Sequence, residues 1–177
     1  MRDVAPTANN HIWNVAVETN LGEGDITLSW DNETLAQSKA LLFLYDKDAN
    51  LILDMKKMGS YVFEAKDKKE LMIMYSIDDK HLSLEGILIG APYPNPFSQQ
   101  TIIPFVVGNH ESDVFIRVYD ILGRRVREII RTKVGPGYYE EIWDGMDDHD
   151  EHVKPGMYII RVSNGNSMGL SVRVLAK

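Results

Sequence analysis

The sequence predicts an all-β protein built from two tandem β-sandwich domains. Short runs of alternating apolar and polar residues recur along the 177 residues, separated by turn residues, which is the pattern of strands. The pattern breaks near the middle, where a polar stretch at 78–84 is followed by three prolines within 90–97. We therefore predict a first domain at residues 1–84, a linker at 85–92 and a second domain at 93–177.

The first domain contains six predicted strands and one short helical turn, at 32–39. In one strand Ile26, Leu28 and Trp30 alternate with polar residues, so these three side chains share one face. The predicted strands begin near Ile12 and continue at 26–30, 40–45, 51–55, 61–65 and 71–77. Strands at this spacing are typical of a β-sandwich.

The second domain follows a proline-rich lead-in at 90–97. Proline has no backbone N–H to donate, so this stretch is predicted to run extended and outside any sheet interior. Further strands are predicted at 101–107, 114–119, 125–132, 138–143, 157–163 and 170–175. The last of these places Leu170, Val172 and Val174 toward the core.

Charge and composition exclude several classes of protein. The net charge is −7, and residues 1–90 hold 9 Lys and Arg against 15 Asp and Glu. No nucleic-acid partner is expected, since neither half has a basic excess. A group of arginines in the second half is interpreted as a solvated strand face, or alternatively as a patch for an anionic glycan or an acidic partner; it comprises Arg117, Arg124, Arg125, Arg127 and Arg131.

The sequence also bears on membrane insertion and export. No apolar run approaches the roughly 18 residues that a transmembrane segment needs. The first ten residues lack the apolar core of a signal peptide, and the first strand begins abruptly. These features leave two possibilities, a cytoplasmic protein or a fragment of a longer precursor, and we expect the fragment. The chain has no cysteine, so thiolate chemistry is excluded.

No enzymatic motif is present, and we predict no catalytic residues. The histidines accompany no nucleophile motif, and adjacent carboxylates on a strand point to opposite faces. The acidic loop at 144–151 is a weak candidate for Ca²⁺, with hard oxygen ligands from Asp144, Asp147, Asp148 and Asp150. Its spacing does not match an EF-hand, so a metal-free loop is preferred and no cofactor is predicted.

An ordered set of motifs runs through the second half. It consists of Tyr93-Pro94-Asn95-Pro96-Phe97, then Tyr119-Asp120 with Gly123, then Trp143-Asp144-Gly145, then Gly156 with Tyr158, and finally Lys177. This set resembles the C-terminal sorting domain of the type IX (Por) secretion system of the Bacteroidetes. The segment from about 91 to 177 is also similar to the immunoglobulin-like domain of the flagellar hook-capping scaffold.

The resemblance implies a fold and a function. The fold implied is immunoglobulin-like, and the function is that of a folded sorting signal on an exported bacterial protein. The partners implied are the type IX translocon and a surface sortase, with attachment to anionic lipopolysaccharide after processing. The protein would cross the periplasm and then reach the cell surface or the medium. The acidic loop departs from the family pattern, because an acidic residue stands where a glycine is expected.

The motif residues also have structural interpretations. Tyr93 and Phe97 are predicted to plug one end of the sandwich, and the indole N–H of Trp143 is predicted to find a backbone carbonyl. Gly156 is predicted to allow a tight turn before Tyr158.

The first domain has no comparable motif and is interpreted as an accessory sandwich. The alternative functions are a structural immunoglobulin-like scaffold and a carbohydrate-binding module. The latter would use Trp13, Trp30 or Tyr61 as a stacking platform, although the phase of Trp30 favours core packing.

Overall fold

The protein is all-β, as predicted, and its described residues include one five-residue helix. The computed structural model describes residues 10–20, 22–49, 51–65, 68–77, 86–164 and 169–177. The chain divides into two compact units, Met1–Leu82 and Ser83–Lys177, hereafter the first and second domains. The whole predicted boundary stretch at 78–84, and residue 85 of the predicted linker, lie outside the described residues.

The described residues of the first domain form six strands and the helix. Their bounds are β1 Asn10–Glu18, β2 Asp25–Ser29, α1 Asn32–Ala36, β3 Leu41–Asp46, β4 Leu51–Asp54, β5 Ser60–Glu64 and β6 Lys68–Ser76. The strands β1, β6, β3 and β4 are neighbours in that order, and β2 pairs with β5 in a separate ribbon. The helix begins at the predicted turn, where the Asp31 carboxylate accepts the backbone N–H of Thr34 at 3.1 Å.

A buried ion pair joins two strands of the first domain. Asp46 at the end of β3 is 0% exposed and Lys69 in β6 is 5% exposed, and Asp46 Oδ1 lies 2.8 Å from Lys69 Nζ. The Tyr61 hydroxyl donates to Asp46 Oδ2 at 2.6 Å, and the amides of Asp48 and Ala49 donate to Oδ1. Burial raises the pKa of Asp46, but Lys69 and the other donors outweigh it, so this pKa lies below its ordinary value.

The described residues of the second domain form seven strands. They are β7 Ile87–Gly90, β8 Thr101–Val107, β9 Ser112–Asp120, β10 Arg125–Val134, β11 Gly137–Trp143, β12 Gly156–Ser163 and β13 Leu170–Ala176. One sheet of this domain contains β7, β8 and β11, and the other has the order β10-β9-β12-β13. The two sheets enclose one core, so this domain is a β-sandwich.

Alternation along the strands builds this core, as the sequence predicted. Val114, Ile116 and Val118 of β9 are each 0% exposed. Val174 of β13 is buried, and Leu170 and Val172 pack against the same core. The side chains between them face the other way, which gives the β10-β9-β12-β13 sheet a second, solvent-facing surface.

Residues 87–90, which the sequence placed in the linker, form β7. This strand pairs with β8, and its Leu88 and Ile89 are 7% and 0% exposed. The first proline of this stretch is residue 92, so the residues before it keep their backbone N–H groups. The apolar run at 87–90 is long enough to pair with β8. Within the described residues, no helix has the length and apolar character needed to cross a membrane.

Candidate functional site

The Tyr93–Phe97 segment connects the two sheets of the second domain. Tyr93 exchanges two backbone hydrogen bonds with Ile102 of β8, at 3.0 and 2.8 Å. At the other end, the Phe97 amide donates to Leu175 O of β13 and the Lys177 amide donates to Phe97 O, both at 2.9 Å. The prolines between them do not pair, as predicted, but the flanking residues attach the segment to a strand of each sheet.

Asn95 makes the side-chain part of this attachment. Its Nδ2 donates to Arg173 O at 3.1 Å, and its Oδ1 accepts from the Leu175 amide at 3.0 Å. Because β13 is an edge strand, these backbone groups point away from β12. The amide of Asn95 therefore takes the place that a neighbouring strand would occupy. We call Asn95 and Phe97, with their bonds to β13, the edge clamp.

Three aromatic motif residues meet in the core behind the edge clamp. Phe97, Trp143 and Tyr158 are 3%, 0% and 7% exposed. The ring of Trp143 lies 5.2 Å from that of Phe97 and 5.4 Å from that of Tyr158, between centroids. The indole N–H of Trp143 donates to Met146 O at 2.9 Å, in keeping with the prediction of a backbone carbonyl.

Gly145 is required by the same packing. Its φ is +71°, and a Cβ there would lie 3.3 Å from a ring carbon of Phe97 and 3.4 Å from Gln99 O. A larger residue would meet both backbone strain and crowding. The Trp-Asp-Gly and Tyr-Pro-Asn-Pro-Phe motifs, separate in sequence, thus form one packed unit.

The Tyr119-Asp120 motif ends β9 and shapes the turn into β10. Asp120 Oδ1 accepts the amides of Leu122 and Arg124, at 2.9 and 3.0 Å, and Oδ2 lies 2.7 Å from Arg124 Nε. Desolvation raises the pKa of Asp120, but these hydrogen bonds outweigh it and hold the pKa below its ordinary value. Gly123 closes the turn with φ of +77°.

Gly156 and Tyr158 begin β12 beside this turn. The Tyr158 hydroxyl donates to Lys154 O at 2.6 Å. Burial, and secondarily the charge of Asp120, raise the pKa of Tyr158. Gly156 pairs with Ala176 of β13, so this motif is also attached to the strand that the edge clamp holds.

The carboxylates of the acidic loop bind the chain's own amides. Asp144 Oδ1 accepts from the Met146 amide at 3.0 Å, and Asp147 Oδ1 accepts from those of His149 and Glu151, at 2.8 and 3.0 Å. The bonds from Glu151 and His149 lower the pKa of Asp147. These two aspartates therefore shape the loop.

The other two candidate calcium ligands lie against β10. Asp148 Oδ1 accepts from the Glu128 amide at 3.0 Å, and Asp150 Oδ1 lies 3.2 Å from Arg127 Nη1. Among the described residues, no group of three or more acidic or histidine side chains could hold a metal ion. The calcium interpretation stays a prediction, to be tested by binding.

Asp150 has the backbone conformation of a glycine. Its φ is +60°, in the left-handed region that side chains rarely adopt. It stands at the position of the acidic loop where the family pattern has glycine. A glycine would adopt this φ at position 150 without the steric cost that a side chain carries.

The arginine cluster is matched by carboxylates. Its six ion pairs among the described residues are Arg117 with Glu128, Arg124 with Asp120, Arg125 with Glu128 and with Asp148, Arg127 with Asp150, and Arg131 with Glu141. The interpretation as a solvated strand face agrees with these contacts.

The three aromatic residues named for glycan stacking have other contacts. Trp30 donates its indole N–H to Met55 O at 2.8 Å, and the Tyr61 hydroxyl binds buried Asp46. Trp13 meets Tyr75 edge-on, at 6.3 Å between centroids. Two of the three thus use their polar atoms within the domain.

Comparison with known proteins agrees with this geometry. The motif residues lie together in one compact β-sandwich, several of them attached to the edge strand β13. The family model described as "Secretion system C-terminal sorting domain" (Por) matches residues 91–175. This part of the chain therefore belongs to the C-terminal sorting-domain family of the type IX secretion system, and it carries the sorting signal for export toward the cell surface or medium. Such a domain is not catalytic.

Two solved structures from Porphyromonas gingivalis show a weak likeness to this chain. Dimeric latent PorU from Porphyromonas gingivalis is 12% identical, with a TM-score of 0.49, over 96% of this chain and 20% of that one. PorZ from the same organism, a surface component of the type IX secretion system, is 16% identical, with a TM-score of 0.35, over 59% of this chain and 14% of that one. This chain thus spans a fifth or less of these proteins. No curated protein matches the chain.

Proposed function

We propose that this chain is part of an exported bacterial protein, and that its second domain is the address by which the type IX translocon selects that protein. The observation that carries the proposal is the family match over residues 91–175. The route would be the usual one for such cargo: passage through the periplasm, then the outer membrane, then release to the cell surface or the medium.

The motif residues serve this function by building the surface that is recognised. The edge clamp fixes β13, and the aromatic unit of Phe97, Trp143 and Tyr158 fixes the clamp. Asp120 and Gly123 set the neighbouring turn. A translocon that reads a folded surface needs these groups held in place before contact, because preorganisation lowers the cost of binding.

Further partners are proposed from the family alone. A surface sortase would cleave the second domain from its cargo, and the cargo would then be joined to anionic lipopolysaccharide. The first domain, proposed at residues 1–84, would serve as an accessory module with no enzymatic activity of its own. Residues 85–92 are the proposed boundary region, of which β7 belongs to the second domain.

The proposal is tested by the location of the whole chain in cells. The chain is placed behind a reporter enzyme with an ordinary export signal, in a host with a type IX system and in the same host without its translocon. We expect the reporter at the surface or in the medium of the first host and in the periplasm of the second. Periplasmic reporter in both hosts, with a chain that resists proteolysis, would contradict the proposal.

A further inference from the structure

The solvent-facing surface of the β10-β9-β12-β13 sheet has an unusual composition. Strand register aligns its side chains in rows across the four strands. One central row comprises Glu128, Arg117, Arg161 and Ser171. The next comprises Arg125, Tyr119, Ile159 and Arg173. We call these two rows the arginine face.

The arginine face carries more positive than negative charge. Its two rows contain four arginines and one glutamate. Glu128 pairs with both Arg117 and Arg125. Arg161 and Arg173 are exposed, and neither forms an ion pair with a described residue. This surplus stands out in a chain whose net charge is −7.

The rows that flank the arginine face are apolar and exposed. On one side Met157 pairs with Leu175, and these residues are 47% and 38% exposed. On the other side Phe115 pairs with Ile130, which is 49% exposed. A surface of arginine, tyrosine, phenylalanine and methionine without lysine has the composition of protein–protein interfaces.

The aromatic rings do not offer an open stacking platform. The guanidinium carbon of Arg117 lies 4.9 Å from the ring centroid of Phe115, and that of Arg161 lies 5.5 Å from the centroid of Tyr119. These contacts hold the guanidinium groups along the sheet, which lowers the entropy lost when they meet carboxylates. They also cover ring faces on which a sugar would stack. A protein partner is therefore favoured over a glycan.

We propose that the arginine face is the docking surface of the sorting domain for an acidic protein surface. The proposal rests on the export function, since it names the chemistry of the partner that reads this domain. Carboxylates of the partner meet Arg161 and Arg173, and its apolar side chains meet the flanking rows. Charge complementarity of this kind raises the rate of encounter and sets orientation.

The test compares double substitutions in the full chain carried by the exported reporter. Arg161→Gln with Arg173→Gln removes both unpaired charges, and Arg161→Lys with Arg173→Lys keeps them. Lys133→Gln with Lys154→Gln is the matched control, because both lysines are exposed and lie off the arginine face. We expect the arginine-to-glutamine pair to lower the export rate about tenfold, with partial recovery in the lysine pair and no change in the control.

A second measurement identifies the class of partner. A photoreactive phenylalanine analogue at position 171 should crosslink in cells to an outer-membrane protein that carries acidic residues at the adduct site. The same analogue at position 142, off the arginine face, should not form that adduct. Melting curves establish that each variant is folded.

Two outcomes would overturn the proposal while leaving the export function intact. One is export of the arginine-to-glutamine pair at the wild-type rate, and the other is a polysaccharide adduct at position 171. Retention of the wild-type reporter in the periplasm would instead reject the export function, and this proposal with it.

Discussion

Replacing Asn95 by alanine tests whether the edge clamp holds β13. The substitution removes two hydrogen bonds, one to Arg173 O and one from the Leu175 amide. A hydrogen bond contributes about 0.5–1.5 kcal/mol net, and these two are exposed, so we expect a loss of about 1–2 kcal/mol in the free energy of unfolding. For a domain of this size that corresponds to a fall of roughly 4–15 °C in the melting temperature.

Amide hydrogen exchange gives the residue-specific readout. In Asn95→Ala the Leu175 amide loses its acceptor and should exchange faster, whereas the Val174 amide points toward β12 and should not. Asn95→Asp keeps the acceptor for Leu175 and loses the donor to Arg173 O, so Leu175 should stay protected while stability falls. Gln100→Ala, an exposed change nearby, serves as the control. Unchanged Leu175 exchange in Asn95→Ala would refute the edge clamp.

Four further predictions concern charged groups. Asp46→Asn should destabilise the first domain by about 3 kcal/mol, because it leaves the buried positive charge of Lys69 without its nearest carboxylate. Asp48→Asn should destabilise it less, because Asp48 is largely exposed. Urea denaturation measures both changes in the free energy of unfolding. Folding lowers the pKa of Asp46, so its contribution to the free energy of unfolding should be present above about pH 4 and be lost as the pH falls below that value. A free energy of unfolding of the first domain that does not change from pH 5 to 2 would contradict this prediction. Asp150→Gly should raise the melting temperature. Glycine adopts the left-handed backbone conformation without strain, which stabilises the folded state by up to about 1 kcal/mol, and the substitution removes only an exposed ion pair with Arg127. Millimolar Ca²⁺ should leave the melting temperature of the chain unchanged relative to chelator, and an increase would revive the calcium site at 144–151.

The parts of the fold that follow from local patterns were predictable. Alternation in the last strand predicted that Leu170, Val172 and Val174 face the core, and all three lie in it or pack against it. The turn after β9 likewise depends on a nearby side chain, since Asp120 accepts the amides of Leu122 and Arg124. These features depend on side chains a few residues apart, so the sequence contains the information directly.

The parts that depend on distant strands were not predictable in the same way. Asn95 lies 80 residues before the amide it accepts from, and no local pattern indicates that pairing. The arginine face takes Arg117 and Arg161 from different strands, and only the register between β9 and β12 brings them together. The cluster predicted from the sequence contained arginines that lie close together along the chain, so it did not include Arg161 and Arg173.

The strand in the predicted linker has a similar explanation. Ile87–Gly90 is four residues long and lies between a polar stretch and a proline-rich one. Its apolar character was visible, but whether so short a run pairs depends on an available edge, which β8 supplies.

Sufficiency of the second domain for export is the most direct test of this account. Ser83–Lys177, which includes β7, is fused to a reporter with an ordinary export signal and expressed in a host with a type IX system. We predict that the reporter reaches the surface or the medium, and that a fusion ending at Met168, without β13, stays in the periplasm. A folded, protease-resistant Ser83–Lys177 fusion that remains in the periplasm would contradict the claim that this domain is the address.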